Sequence, residues 1–153
     1  MLGQVQRLGI VLRVRHLCGW GDPEAVARSY AAEGVEAEVE GFVPNLSEAY
    51  RETAFALTTA GAFTLAELAA WRIPALLVPL DGAAGRHQHA NADVFARQTG
   101  ALRIWRPEAV AELLKTPERL GQAAERMAAG ARPHAARELA AACLEPLLGG
   151  STD

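Results

Sequence analysis

Ile73 to Leu80, IPALLVPL, is a run of eight residues without one polar side chain. At that length it reads as a strand rather than a helix, and a strand with no polar face has to be covered on both sides. Sheets covered on both faces are parallel ones, whose strands are joined by helices. The residues just ahead agree with this. In TTAGAFTLAELAAW a turn of small residues leads into an apolar helix with a single acid, Glu67, near its start.

The rest of the chain repeats the alternation. Residues 11 to 17, VLRVRHL, switch between apolar and polar and stop at Gly19-Trp20-Gly21, as a strand followed by a turn would. Asp22 is a natural N-cap, Pro23 suits the first helical position and Gly34 supplies a stop, which predicts a helix from Pro23 to Glu33. Val35, Ala37 and Val39 alternate with Glu36, Glu38 and Glu40, a strand with one acidic face that belongs near an edge. After Gly41-Phe42-Val43-Pro44 come a short helix over 46 to 51 and a strand over 55 to 59. Beyond Pro79 the loop LDGAAG leads to a helix from His87 to Gln98, a strand over 101 to 105 and three Ala-rich helices, the last from His134 to Leu148. The expected class is α/β, a Rossmann-like doubly wound parallel sheet of five strands. With 153 residues, half of them hydrophobic, residues 1–153 are expected to form one domain. Such a chain buries roughly two-thirds of the surface it exposes unfolded.

The net charge of −3, with no run of like charges, gives no electrostatic footprint for nucleic acid or for an anionic membrane surface. No apolar stretch suggests direct membrane insertion, and the N-terminus lacks the layout of a signal peptide, so a cytoplasmic chain is expected. Cys18 and Cys143 are far apart and in no metal or redox spacing, so both are expected as reduced thiols.

In doubly wound folds ligands sit beyond the carboxyl ends of the strands, where helix N-termini present free N–H groups. Gly19-x-Gly21 is the first half of a dinucleotide fingerprint, with Glu40 about twenty residues on as the ribose acid that NAD binding needs. Glu24, however, stands where the third glycine belongs, and a carboxylate there repels phosphate. His87 and His89 with Asp81 raise the question of a metal, but helical residues two apart do not share a face. The only aspartates are at 22, 81, 93 and 153, so there is no Asp-x-Asp for a divalent cation, and neither metal nor cofactor is expected. Cys18 beside His16 lacks an acid to orient the imidazole and reads as a thiol at the edge of the core. Thr59-Ala60-Gly61-Ala62 is different: small residues let backbone approach a ligand, and the next helix offers its positive end to a phosphate. Glu67 then has two readings. It can accept two hydrogen bonds from a ribose diol while phosphate occupies the helix end. Or it can close a capping box, since Thr64-x-x-Glu67 matches one; spacing alone leans to the cap.

TTAGAFTLAELAAWRIPALLVPL followed by RHQHANA, with H-x-x-G at His16 to Gly19, G-F-V at Gly41 to Val43 and A-G-A-x-T-x-x-E at Ala60 to Glu67, resembles the donor half of the MurG family. These are the UDP-N-acetylglucosamine transferases that build the lipid precursor of the bacterial cell wall. The resemblance runs from about Leu12 to the C-terminus and implies the C-terminal half of a GT-B glycosyltransferase fold. It implies that Val43 backbone, beside Phe42, meets uracil; that Glu67 takes the ribose hydroxyls; that the N–H groups of Ala62, Phe63 and Thr64 meet the diphosphate; and that Gln88 and Asn91 address the sugar. Gln88 and Asn91 lie three apart on one helix, so their amides can serve one polyol. Cys18, Gly19, Gly61 and His87 are secondary candidates.

The chain departs from the family pattern at Thr59, where Arg is common, and at Cys18, where Ser or Thr is common. The family's acceptor domain with its catalytic base, and the first strand and glycine-rich turn of its donor domain, have no counterpart in these residues. The resemblance therefore implies a hexosyltransferase half that binds UDP-N-acetylglucosamine without catalysing alone, and no catalytic residue is assigned. An acceptor-domain polypeptide or a homo-oligomer is the further partner expected, with a location peripheral to the inner membrane face through such a partner. The competing expectations are a non-catalytic uridine-nucleotide module and a Rossmann NAD domain.

Overall fold

The computed structural model describes residues 2–81, 86–103 and 106–148. The order is α1 (Leu2–Arg7), β1 (Arg13–Leu17), α2 (Pro23–Ala32), β2 (Glu36–Glu40), α3 (Ser47–Glu52), β3 (Ala56–Thr58), α4 (Ala62–Ala70), β4 (Ala75–Leu77), α5 (Arg86–Thr99), α6 (Pro107–Lys115), α7 (Pro117–Ala129) and α8 (Ala135–Leu148). The chain is α/β with parallel strands. β1 pairs with β2 from Arg13↔Glu36 to Leu17↔Glu40, and β3 with β4 from Ala56↔Ala75 to Thr58↔Leu77.

The sheet differs from the expected continuous one in a specific way: its strands form two separate parallel pairs. In the usual doubly wound order the first strand lies in the middle. Here the residues ahead of β1 include a short helix, α1, which the sequence did not predict, and no described strand joins β1 to β3. Among the described residues the expected fifth strand is represented by one parallel bridge, Leu76↔Leu102. Arg103 leaves the ladder to pair with Asp93 on α5, and Ile104 and Trp105 lie outside the described residues, as does the interior of the LDGAAG loop.

β4 is the centre of the molecule. Its three residues are all buried, as a strand with no polar side chain requires. Leu77 and Ala75 join Ala60, Leu65, Leu68, Ile73, Phe95 and Met127 in one apolar cluster, which brings α4, α5 and α7 onto one side. Leu76 faces the other way, into a cluster with Val5, Val110 and Ala111 from α1 and α6. In α4 the buried residues are Leu65, Leu68 and Ala69, an i, i+3, i+4 stripe. The helix ends in a Schellman-type turn, with Arg72 N–H on the Ala69 carbonyl and Ile73 N–H on that of Leu68. Arg72, at φ 58°, occupies the left-handed position that glycine usually takes. The first strand pair lies apart from this core: α2 buries no residue, and neither β1 nor β2 contains a fully buried one. α8 is exposed along all its described side chains, Ala135 to Leu144.

Candidate functional site

Because each pair is parallel, the turns that leave the strands lie at the carboxyl ends, where a doubly wound fold places ligands. Two of these turns open a helix in contrasting ways. After β1, Gly19 takes a left-handed φ of 58°. A Cβ on Gly21 would stand 3.0 Å from the Cys18 carbonyl, a close approach that favours glycine in the tight turn. Asp22 then caps α2, accepting from the N–H groups of Glu24 at 2.9 Å and Ala25 at 3.2 Å. That helix end is already satisfied and carries Glu24 in its first turn, so it has nothing to offer a phosphate. Glu40 is engaged too: Arg15 donates to it at 2.8 Å, and the carboxylate raises the Arg15 pKa further. The dinucleotide fingerprint is thus a structural turn. His16 Nδ1 lies 2.8 Å from the Tyr30 hydroxyl, and the Cys18 thiol points to the Gly21 carbonyl at 3.8 Å, so the two do not form a nucleophile pair.

After β3 the arrangement reverses. α4 begins at Ala62, with Gly61 as an N-cap that has no side chain to give, and with no acid in the first turn. The Leu65 N–H returns to the Gly61 carbonyl, which leaves the N–H groups of Ala62, Phe63 and Thr64 without a partner among the described residues, as the free end of the helix. The capping-box preference drawn from spacing is corrected here. Thr64 lies inside the helix rather than at its cap, and Glu67 accepts instead from the Tyr50 hydroxyl at 2.7 Å. Glu67 stands five residues beyond Ala62, about 7.5 Å along the axis, on the exposed side of α4.

α5 closes on the same turn. Asn91 Nδ2 donates to the Ala60 carbonyl at 3.1 Å, and Gln88 Oε1 accepts from the Leu80 N–H at 3.2 Å. Each amide is fixed by one end, and Asn91 Oδ1 and Gln88 Nε2 remain for a ligand. His89 pairs with Asp81 at 3.1 Å, whereas His87 is exposed. Among the described residues no group of three or more His, Cys, Asp or Glu side chains could hold a metal ion.

The structure therefore brings Asn91 to the turn of Gly61, Ala62, Phe63 and Thr64, while Gln88, three residues earlier on α5, is tied to Leu80 after β4, and Glu67 lies farther along α4. Phe42 and Val43 follow β2 instead, beside the turn of Cys18 and Gly19: a Cβ on Gly41 would stand 3.4 Å from the Gly19 carbonyl. Among the described residues no hydrogen bond or ion pair links Phe42 or Val43 to the α4 group. Phe42 and Phe63 are 82% and 89% exposed, uncovered aromatic faces at carboxyl-end turns. An open cleft of about 540 Å³ lies elsewhere, lined by Tyr50, Trp71, Ile73, Pro74 and Pro117 at the amino ends of β3 and β4. Tyr50 is the residue that sequence reasoning missed. Its signal was its isolation, as the one aromatic in the short helix SEAYRE.

Comparison with known proteins gives the family and the fold. Residues 2–142 match the glycosyltransferase family 28 C-terminal domain. A UDP-N-acetylglucosamine--N-acetylmuramyl-(pentapeptide) pyrophosphoryl-undecaprenol N-acetylglucosamine transferase of Pseudomonas fluorescens is 36% identical over 142 residues, covering 86% of this chain and 39% of that protein. The enzyme of the same name from Aeromonas hydrophila is 42% identical over 88 residues, 58% of this chain and 24% of that one. Among solved structures, Acinetobacter baumannii MurG superposes with a TM-score of 0.75 at 27% identity, covering 94% of this chain and 44% of that one. The chain thus spans about two-fifths of the length of the relatives that match most of it. No helix among the described residues is long and apolar enough to cross a membrane.

Proposed function

The chain belongs to the glycosyltransferase family 28 C-terminal domain family, with the fold of the C-terminal half of a GT-B enzyme, and from that premise we propose that it is a single UDP-N-acetylglucosamine-binding donor domain. Its role is in transfer of N-acetylglucosamine to a lipid-linked muramyl-peptide acceptor in peptidoglycan synthesis, on the cytoplasmic side of the membrane. The acceptor site and the base that activates the acceptor hydroxyl come from an acceptor domain, and the chain by itself binds without catalysing.

The observation that carries this reading is the uncapped start of α4. Three N–H groups and the positive end of a nine-residue helix are available to a diphosphate, with no acidic side chain in the first turn to repel it. As the bond to the sugar breaks, negative charge grows on the departing diphosphate, and a fixed dipole stabilises that charge without reorganising. Behind the phosphates Glu67 receives the ribose hydroxyls. Gln88 Nε2 and Asn91 Oδ1 address the sugar, and Phe42 with the Val43 backbone meets the uracil.

Calorimetric titration with UDP-N-acetylglucosamine, wild type against Glu67→Ala, tests this. A hydrogen bond to a charged group contributes about 1.5–3 kcal/mol, so the variant is expected to bind roughly 10- to 100-fold more weakly with little change in thermal stability. Absence of binding by the wild type, or equal binding by both, sinks the site.

A further inference from the structure

Resting on Glu67 as the ribose ligand, we propose that Tyr50 is a positioning residue: its hydroxyl sets the direction of the Glu67 carboxylate, so that preference for a ribose diol depends on a side chain that does not touch the nucleotide.

A glutamate on the open side of a helix has three rotatable bonds and samples many orientations. Glu67 is held in one. Among the described residues its carboxylate accepts one side-chain hydrogen bond, from Tyr50 at 2.7 Å, and pairs with no cation. The donor is itself anchored. The Tyr50 ring packs against the main apolar cluster and lies tilted at 43° to Trp71, 6.0 Å between centroids, while the Arg51 guanidinium covers the Trp71 ring at 5.9 Å. Trp71 directly follows α4, so the helix that carries Glu67 also carries the surface that holds its partner.

The chemistry of the donor matters. An arginine in this place would occupy both carboxylate oxygens and offset the charge. A phenol takes one lone pair of Oε2 and leaves Oε1, with the second lone pair of Oε2, facing outward for two hydroxyl donors. Burial and the Glu67 carboxylate push the phenol pKa well above its ordinary value, so Tyr50 remains a donor throughout the physiological range.

The test is titration of UDP and 2′,3′-dideoxyuridine diphosphate into wild type, Glu67→Ala and Tyr50→Phe. The wild type is expected to prefer UDP at least about tenfold, and Glu67→Ala to lose the preference. Tyr50→Phe should cut it about threefold or more while binding the dideoxy compound as the wild type does. No binding of either compound, or a diol preference that survives Glu67→Ala, overturns the ribose reading and this proposal with it. A preference that depends on Glu67 but is intact in Tyr50→Phe overturns the positioning role alone, as does equal weakening toward both compounds, the mark of a merely structural role. If Tyr50→Phe does not fold, Trp71→Phe loosens the ring and keeps the hydroxyl. A reduced diol preference then supports the proposal and an unchanged one overturns it.

Discussion

The units β1–α2–β2 and β3–α4–β4 have the same parallel topology and opposite designs. In the first, the helix buries none of its residues, the strands are half-exposed, and the helix start is closed by Asp22. In the second, β4 is buried on both faces, α4 lays Leu65, Leu68 and Ala69 into the core, and the helix start is bare. The unit with the rigid support is the one that leaves polar groups unsatisfied. An unpaired helix end costs stability, and packing behind it offsets that cost. The first unit has no such reserve, and its helix end is capped.

The comparison breaks most visibly in the core. Leu76→Ala, at a side chain that is 0% exposed, is expected to cost about 2–5 kcal/mol in denaturant unfolding. Val14→Ala in half-buried β1 should cost about 1 kcal/mol or less, and equal losses would show that the two units are supported alike. A smaller effect separates the helix starts. Asp22→Ala should lower stability by about 1 kcal/mol and leave UDP affinity unchanged. Gly61→Ser should do the reverse, adding a few tenths of a kcal/mol by supplying a cap while weakening UDP binding, because the serine hydroxyl then competes for the same N–H groups. A serine that strengthens binding would mean that the diphosphate does not sit there. The smallest effect is in pH. Tyr50 has a raised pKa in the folded chain, so its share of stability is complete below about pH 10, the ordinary phenol value, and falls as pH rises beyond it. The melting difference between wild type and Tyr50→Phe should shrink above that point, and a constant difference would remove the hydroxyl from the account.

Legibility in the sequence divided differently, element by element, and β4 was plain. An apolar run of strand length allows one environment, and Ala75–Leu77 occupies it. The Asp22-Pro23 start and Gly34 stop of α2 were equally plain, because local chemistry sets them. Where α4 begins was not, since Thr64-x-x-Glu67 satisfies a capping box and an interior turn alike. The Glu67 carboxylate goes to Tyr50, seventeen positions upstream, and such pairings leave no mark in spacing. α1 escaped notice because LGQVQR has neither cap nor period, and it is held by Val5 against Val110 and Ala111. The fifth strand is visible only in part: among the described residues Leu102 bridges to Leu76 beside β4, with its N–H on the Ala75 carbonyl and its carbonyl accepting from Leu77.

β4 lies between two clusters, and only one of them is mainly local. Ala75 and Leu77 meet Leu65 and Leu68 from the preceding helix and Phe95 from the next one, whereas on the other face Leu76 waits for Val110 and Ala111, roughly thirty-five residues later. As the chain leaves the ribosome, α4 precedes the strand and α5 follows it closely, but the Leu76 face lacks its Val110 and Ala111 cover until α6 has emerged. Partners so distant in sequence close late, and an apolar strand uncovered on one face is the species that aggregates in the interval. The same run that fixes the finished fold is therefore the point at which its synthesis is most exposed to failure.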